Sequence, residues 1–84
     1  MDNAELAPWN QPEAKAASER RAEAFRRMSA ANTKVSRCRR EDSLQAARAE
    51  EHKARKEYEA ARDAHDQLME VLKARQVQRG WVAQ

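Results

Sequence analysis

The 84-residue sequence contains one glycine, two prolines, one cysteine and few aromatic residues, which make up 5% of the chain. Sheet proteins depend on turn residues and on aromatic and β-branched side chains, so this composition excludes a β-rich fold. Charged residues form 37% of the chain, a proportion typical of long solvated helices and coiled coils. We therefore expect an all-α protein.

Cysteine and long apolar runs are equally scarce. Cys38 alone cannot form an intrachain disulfide, and Cys38, His52 and His65 are too few and too widely spaced to bind zinc. No apolar run approaches the roughly 18 residues that span a bilayer, and the N-terminus lacks the pattern of a secretory leader. We expect a soluble, cytoplasmic protein with no cofactor, no metal and no membrane contact.

The net charge of +3 is unevenly distributed along the chain. Residues 1–13 carry a balance of −3, residues 14–40 carry +7, and the remainder carries −1. Residues 14–40 therefore form a basic arm, whereas the residues after them have mixed charges and are almost neutral overall. A basic arm can face either an acidic protein or the phosphates of a nucleic acid.

The longest helical pattern runs from Ser43 to about Arg79. No glycine or proline interrupts it, and Gly80 follows its end, where a residue of left-handed conformation commonly closes a helix. Steps of three and four residues place one stripe on a single helix face. The stripe consists of Leu44, Ala47, Ala54, Tyr58, Ala61, His65, Leu68 and Leu72, interrupted by Glu51 and Arg75.

A second stripe with the same spacing precedes it, with Phe25 at its side. Small alanines dominate this stripe, so a partner helix can approach closely. Asn10 is the expected N-cap of its helix, and Trp9 stands beside the helix entrance. The stripe consists of Ala14, Ala17, Arg21, Ala24, Met28, Ala31, Val35 and Cys38.

The two stripes differ in phase by two residues, which is best explained by a turn. We predict a coiled-coil-like antiparallel two-helix hairpin with an Ala-rich seam, capable of dimerising into a four-helix bundle. Helix 1 is expected at about 11–39, the turn at about 40–43 and helix 2 at about 43–79, with tails at 1–9 and 81–84. Asp42 is the expected cap of helix 2. One continuous helix is the alternative, because no glycine or proline marks the turn.

Folding the chain back at residue 41 brings the two stripes together. Large side chains then repeatedly oppose alanine, for example Tyr58 opposite Ala24, as close packing requires. The same register carries the N-terminal tail past the end of helix 2. Leu6 and Trp9 are therefore expected to cover its last turns.

The sequence contains no catalytic or phosphate-binding motif, so we expect no enzyme activity. The function it favours is a non-enzymatic protein-interaction module: an adaptor, chaperone-like or inhibitor protein of bacterial or phage type, docking helix faces onto a protein partner, with a homodimer as a further option. The candidate partner-binding residues are Met69, Val71, Leu72, Val77, Trp81 and Trp9. The alternative is a small nucleic-acid-binding regulator that uses a basic face on the first helix. That basic face consists of Arg20, Arg26, Arg27, Lys34, Arg37, Arg39 and Arg40.

Overall fold

The computed structural model describes residues 2–83 as an α-helical hairpin. A short helix α1 (Asn3–Leu6) and a 3-10 helix (Pro8–Asn10) precede the two long helices α2 (Pro12–Arg37) and α3 (Glu41–Gln78). The molecule is a rod of 58 × 19 × 16 Å. The predicted all-α hairpin is confirmed. Met1 and Gln84, the outermost residues of the two predicted tails, lie outside the described residues.

Both predicted stripes form the contact between α2 and α3. Every residue of the two stripes, including the interrupting Glu51 and Arg75, is buried or half-buried. The most deeply buried positions between the helices are mainly alanines, at 14, 17, 31, 47 and 54. Alanine at these positions lets the two backbones approach closely, so the interior holds little apolar volume per residue.

The turn between the long helices occupies residues 38–40, slightly earlier than predicted. Cys38 and Arg40 have extended backbone conformations, with ψ of 132° and 134°, and this breaks the helical path. The alternative of one continuous helix is therefore wrong. Asp42 lies inside the first turn of α3 and is not its cap, because Arg40 holds the N-cap position.

The start of α2 also differs from the expectation. Asn10 belongs to the 3-10 helix, and its side-chain Nδ2 donates to the carbonyl of Ala4 at 2.7 Å. Gln11 is the N-cap, but its side chain donates to the carbonyls of Glu5 and Ala7, both at 3.0 Å. Both polar side chains thus bond to carbonyls of the N-terminal segment, residues 2–10, and neither caps the helix.

The end of α3 is closed by a Schellman motif. The amide of Trp81 donates to the carbonyl of Gln76 at 2.8 Å, and the amide of Gly80 donates to the carbonyl of Val77 at 3.1 Å. Gly80 has φ of +109°, a conformation that side chains disfavour. The predicted left-handed residue at this position is confirmed, and it turns the chain back toward α1.

The N-terminal segment packs on the last turns of α3, next to Leu72 and Gln76. Gln76 is 1% exposed, and its Nε2 donates to the carbonyl of Leu6 at 2.7 Å. The oxygen of the same amide accepts from Nε of Arg75 at 3.2 Å. Because both ends of this buried amide are bonded, the segment is fixed to the helix by a satisfied polar contact.

Ion pairs join the two long helices near both ends. Lys34 pairs with Glu50 at 3.1 Å near the turn, and Arg75 pairs with Glu13 at 2.8 Å near the termini. Glu51, the acidic residue inside the second stripe, pairs with Arg55 on its own helix. Only the first two pairs cross between α2 and α3, and both join positions that the antiparallel arrangement brings together.

Candidate interaction surfaces

The two ends of the described chain meet at one end of the rod and form a groove there. This terminal groove has a volume of about 350 Å³. The indole rings of Trp9 and Trp81 pack edge to face across it, with centroids 5.7 Å apart and an interplanar angle of 89°. Its lining residues are Asp2, Asn3, Ala4, Ala7, Trp9, Trp81, Val82 and Ala83.

The shape of the terminal groove is fixed by a pair of hydrogen bonds between its walls. The side chain of Asn3 donates to the carbonyl of Val82 at 3.1 Å and accepts from the amide of Val82 at 2.8 Å. This arrangement mimics a β-ladder pair, so the segment after Gly80 is held against α1. A groove held in this way can bind a partner with little further ordering cost.

Only two of the six predicted partner-binding residues meet. Trp9 and Trp81 line the terminal groove together. Val71 and Val77 are 63% and 55% exposed, but six residues of helix separate their directions by about 120°, so they face different sides of α3. Met69 is half-buried next to Asp66 and Lys73. The six residues therefore do not form a single surface.

Leu72 requires a correction. It is 1% exposed and belongs to the interior of the chain, because the N-terminal segment packs over the end of α3. The sequence pattern predicts Leu72 as a partner-binding residue, although its own register predicts that the N-terminal tail covers the last turns of this helix. Leu72 therefore packs in the interior and cannot contact a partner.

The predicted basic face lies on the outside of the hairpin. Its five members in α2 fall within a sector of about 120° when consecutive residues are separated by 100°. Arg27 pairs with Glu23 at 2.7 Å and Lys34 pairs with Glu50. The other five members have no carboxylate partner among residues 2–83, and they are Arg20, Arg26, Arg37, Arg39 and Arg40.

A further exposed site lies midway along α2, around Phe25. The ring of Phe25 is 48% exposed and contacts the ring of Tyr58 with centroids 5.5 Å apart. The sequence places Phe25 beside the first stripe, but its contribution to a surface was missed. The available signal was its position next to Ala24 in a stripe otherwise made of small residues.

The titratable groups that could support catalysis are spread along the rod. His52 and His65 are 13 residues apart on α3, which corresponds to about 20 Å. Nδ1 of His65 lies 3.5 Å from Asp66, and the thiol of Cys38 points to the carbonyl of Ser43 at 3.7 Å. In the described part of the chain, no three His, Cys, Asp or Glu side chains gather as metal ligands.

Among residues 2–83, two members of ion pairs, Glu13 and Arg55, have pKa values displaced from their ordinary values. Hydrogen bonds from its own backbone amide and from Arg75 hold the pKa of the Glu13 carboxyl below its ordinary value of 4.5. The hydrogen bond to Glu51 raises the pKa of the Arg55 guanidinium. Both shifts favour the charged forms, but only the Glu13–Arg75 pair joins α2 to α3, because Arg55 and Glu51 lie on the same helix.

Between residues 2 and 83, no helix combines the length and the apolar character needed to cross a bilayer. Comparison with protein-family models, with curated proteins and with solved structures finds no match to the chain.

Proposed function

We propose that this protein is a small non-enzymatic interaction module, of the adaptor, chaperone-like or inhibitor type found in bacteria and phages, that docks onto a protein partner. One observation carries the proposal. The interior between the helices is filled by alanines, whereas Trp9, Phe25 and Val82 are exposed at 58%, 48% and 65%. Large apolar side chains outside a small-residue core are characteristic of binding surfaces.

The exposed area supports the same function. The chain exposes 6390 Å². A compact monomer of 9.7 kDa would expose about 5,100 Å² by the usual scaling of area with mass. The excess, roughly 1,300 Å² on this scaling, follows from the elongated shape of the rod and exceeds the about 800 Å² that one side of a standard protein–protein interface covers.

The terminal groove is the docking site that we propose for this partner. Tryptophan is enriched among the residues that dominate binding energy, and the groove presents two of them at its walls. The hydrogen bonds of Asn3 and Gln76 fix its shape before a partner arrives. A short apolar segment of a partner protein fits these features.

The scattered titratable groups support a binding function over catalysis. A nucleophile and its base must lie within hydrogen-bond reach, but Cys38 contacts a carbonyl near the hairpin turn while the histidines lie farther along α3. We further propose a cytoplasmic location, because the single thiol at Cys38 suits a reducing compartment.

Quantitative affinity capture from the native host tests the proposal. The immobilised chain should recover one protein specifically, and the double variant Trp9→Ala/Trp81→Ala should recover at least about tenfold less of it. The matched control is Val71→Ala/Val77→Ala, which removes exposed apolar side chains elsewhere on α3 and should leave the recovery unchanged. Equal recovery by both double variants would rule out the terminal groove as the docking site.

The second candidate function is a small nucleic-acid-binding regulator. It is favoured by the five arginines of the basic face that have no carboxylate partner among residues 2–83. Arg37, Arg39 and Arg40 lie within four residues of one another at the turn. Binding through such residues weakens steeply as the salt concentration rises. A mobility-shift titration at low and moderate salt distinguishes the two functions, since an apolar docking site changes little over this range.

A further inference from the structure

A stripe of exposed residues without acidic side chains runs along α2 on the side of Phe25. Its members recur every three or four residues, so they share one side of the helix. Apart from Phe25, all of them are small or polar, and each is exposed. The stripe consists of Ser18, Ala22, Phe25, Ser29, Asn32 and Ser36.

Phe25 is the single large side chain of this stripe, and it stands at the edge of a groove of about 470 Å³ between α2 and α3. We name the groove lining the Phe25 patch. It contains two aromatic rings, two guanidinium groups and no carboxylate. The lining residues are Ser18, Arg21, Ala22, Phe25, Arg26 and Tyr58.

The two guanidinium groups that line the Phe25 patch have no acidic neighbour in the groove. Neither Arg21 nor Arg26 has a carboxylate within 4.0 Å in the part of the chain that the structure describes. Arg55 and Arg62 flank Tyr58 on α3, but they pair with Glu51 and Asp63. A ligand that lies on Phe25 and Tyr58 therefore meets the guanidinium groups of Arg21 and Arg26 on the α2 side of the groove.

We infer that the Phe25 patch binds an acidic amphipathic helix of a protein partner. The apolar side of that helix rests on Phe25 and Tyr58, and its carboxylates meet Arg21 and Arg26. The small residues along the stripe leave room for a second helix to lie parallel to α2, with Phe25 as the knob between its turns. Aromatic residues and arginine are the residue types that dominate binding energy at interfaces.

This inference rests on the proposed function as an interaction module, but it concerns a different surface from the terminal groove. Arg37, Arg39 and Arg40 lie at least a dozen residues beyond Phe25, about 18 Å along α2 and its turn. Glu41 and Asp42 of the first turn of α3 follow them directly, so charged side chains of both signs lie together there. The Phe25 patch, in contrast, combines an apolar centre with a charged rim, the arrangement of a protein interface.

The test is a selection of short helical peptides from a displayed random library against the full chain, followed by affinity measurements with the synthetic peptides. We expect the recovered peptides to combine aspartate or glutamate with one or two large apolar residues. Phe25→Ala and Arg26→Glu should each weaken their binding by about tenfold or more. Arg48→Glu is the matched control, because Arg48 is exposed on α3, lies outside the Phe25 patch and has no ion pair among the described residues, and it should change the affinity less than about threefold.

Several outcomes would overturn the inference. Recovered peptides without an acidic excess, no recovery at all, or affinities unchanged by both variants would each do so. Displacement of the peptides by a single-stranded oligonucleotide would assign the patch to nucleic acid, and a dimer in sedimentation that Phe25→Ala abolishes would assign it to a second copy. Peptides whose binding depends on Trp9 and Trp81 alone would refute the Phe25 patch while supporting the terminal groove. Circular dichroism of each variant confirms that the hairpin has formed.

Discussion

The side chain of Gln76 donates a hydrogen bond of 2.7 Å to the main-chain carbonyl of Leu6, which is 70 residues away in sequence. Gln76 is 1% exposed, so this bond lies inside the molecule between α3 and the N-terminal segment. A buried side-chain amide needs hydrogen-bond partners, and the carbonyl of Leu6 accepts from its nitrogen. The bond therefore ties the position of the N-terminal segment, and with it the terminal groove, to one residue of the long helix.

Replacing Gln76 by leucine should lower the free energy of unfolding by about 1–3 kcal/mol. The apolar side chain fills similar space, but it leaves the part-buried carbonyl of Leu6 without this donor. Urea denaturation measures the change. Gln78→Leu is the matched control, because Gln78 is exposed two residues later on the same helix and its replacement should cost less than about 0.5 kcal/mol. Equal losses in both variants would mean that the bond contributes nothing.

Asn3→Ala should release the segment after Gly80 without unfolding the hairpin. The variant removes both hydrogen bonds between Asn3 and Val82, which lie at an exposed edge. Bonds of this kind contribute about 0.5–1.5 kcal/mol each, so we expect exchange of the Val82 amide to accelerate by about tenfold. Hydrogen exchange followed by nuclear magnetic resonance gives the rate. Asn32→Ala, at an exposed position of α2, should leave it unchanged, and an unaltered Val82 rate in Asn3→Ala would contradict the prediction.

The sequence predicted the hairpin because helix packing repeats along the chain. Each stripe supplies eight or more positions with the same spacing, so the charged residues Glu51 and Arg75 do not hide the pattern. The Schellman closure at Gly80 was also predictable, since glycine alone adopts its backbone conformation without strain. Local rules of spacing and conformation were sufficient for both features.

The terminal groove could not be derived in the same way. It depends on single contacts between residues almost a chain length apart, such as Asn3 with Val82, and no periodic pattern records them. The N-cap of α2 was mispredicted for a related reason, because the side chain of Asn10 bonds to Ala4 instead of capping the helix. Tertiary contacts override local propensity at this cap. Leu72 was assigned to a partner surface, although the predicted cover of α3 by the N-terminal tail already implied its burial.

Ala47→Leu should destabilise the hairpin by about 1–3 kcal/mol. Ala47 is 3% exposed between the helices, and a larger side chain would force the closely spaced backbones apart. The matched control is Ala46→Leu, because Ala46 is exposed on the same turn and leucine is nearly as good a helix former as alanine. Thermal unfolding of both variants gives the comparison. If Ala47→Leu proved as stable as Ala46→Leu, the close approach of α2 and α3 at this point would be refuted.

The ion pair between Glu13 and Arg75 should make the stability of the hairpin depend on acidity. Hydrogen bonds from its own backbone amide and from Arg75 lower the pKa of Glu13 in the folded state, so the unfolded chain binds this proton more readily. The stabilisation is therefore present above the unfolded pKa near 4.5 and is lost as the pH falls through the lower folded pKa.

Glu13→Gln should consequently lose less stability than the unsubstituted chain between pH 6 and pH 3, as measured by thermal unfolding at both pH values. Glu19→Gln is the control, because Glu19 is an exposed carboxyl of α2 without an ion pair among the described residues, and it should keep the pH dependence of the unsubstituted chain. Arg75→Gln should reduce the dependence in the same direction as Glu13→Gln, whereas a full acid dependence in both variants would show that this pair does not stabilise the fold.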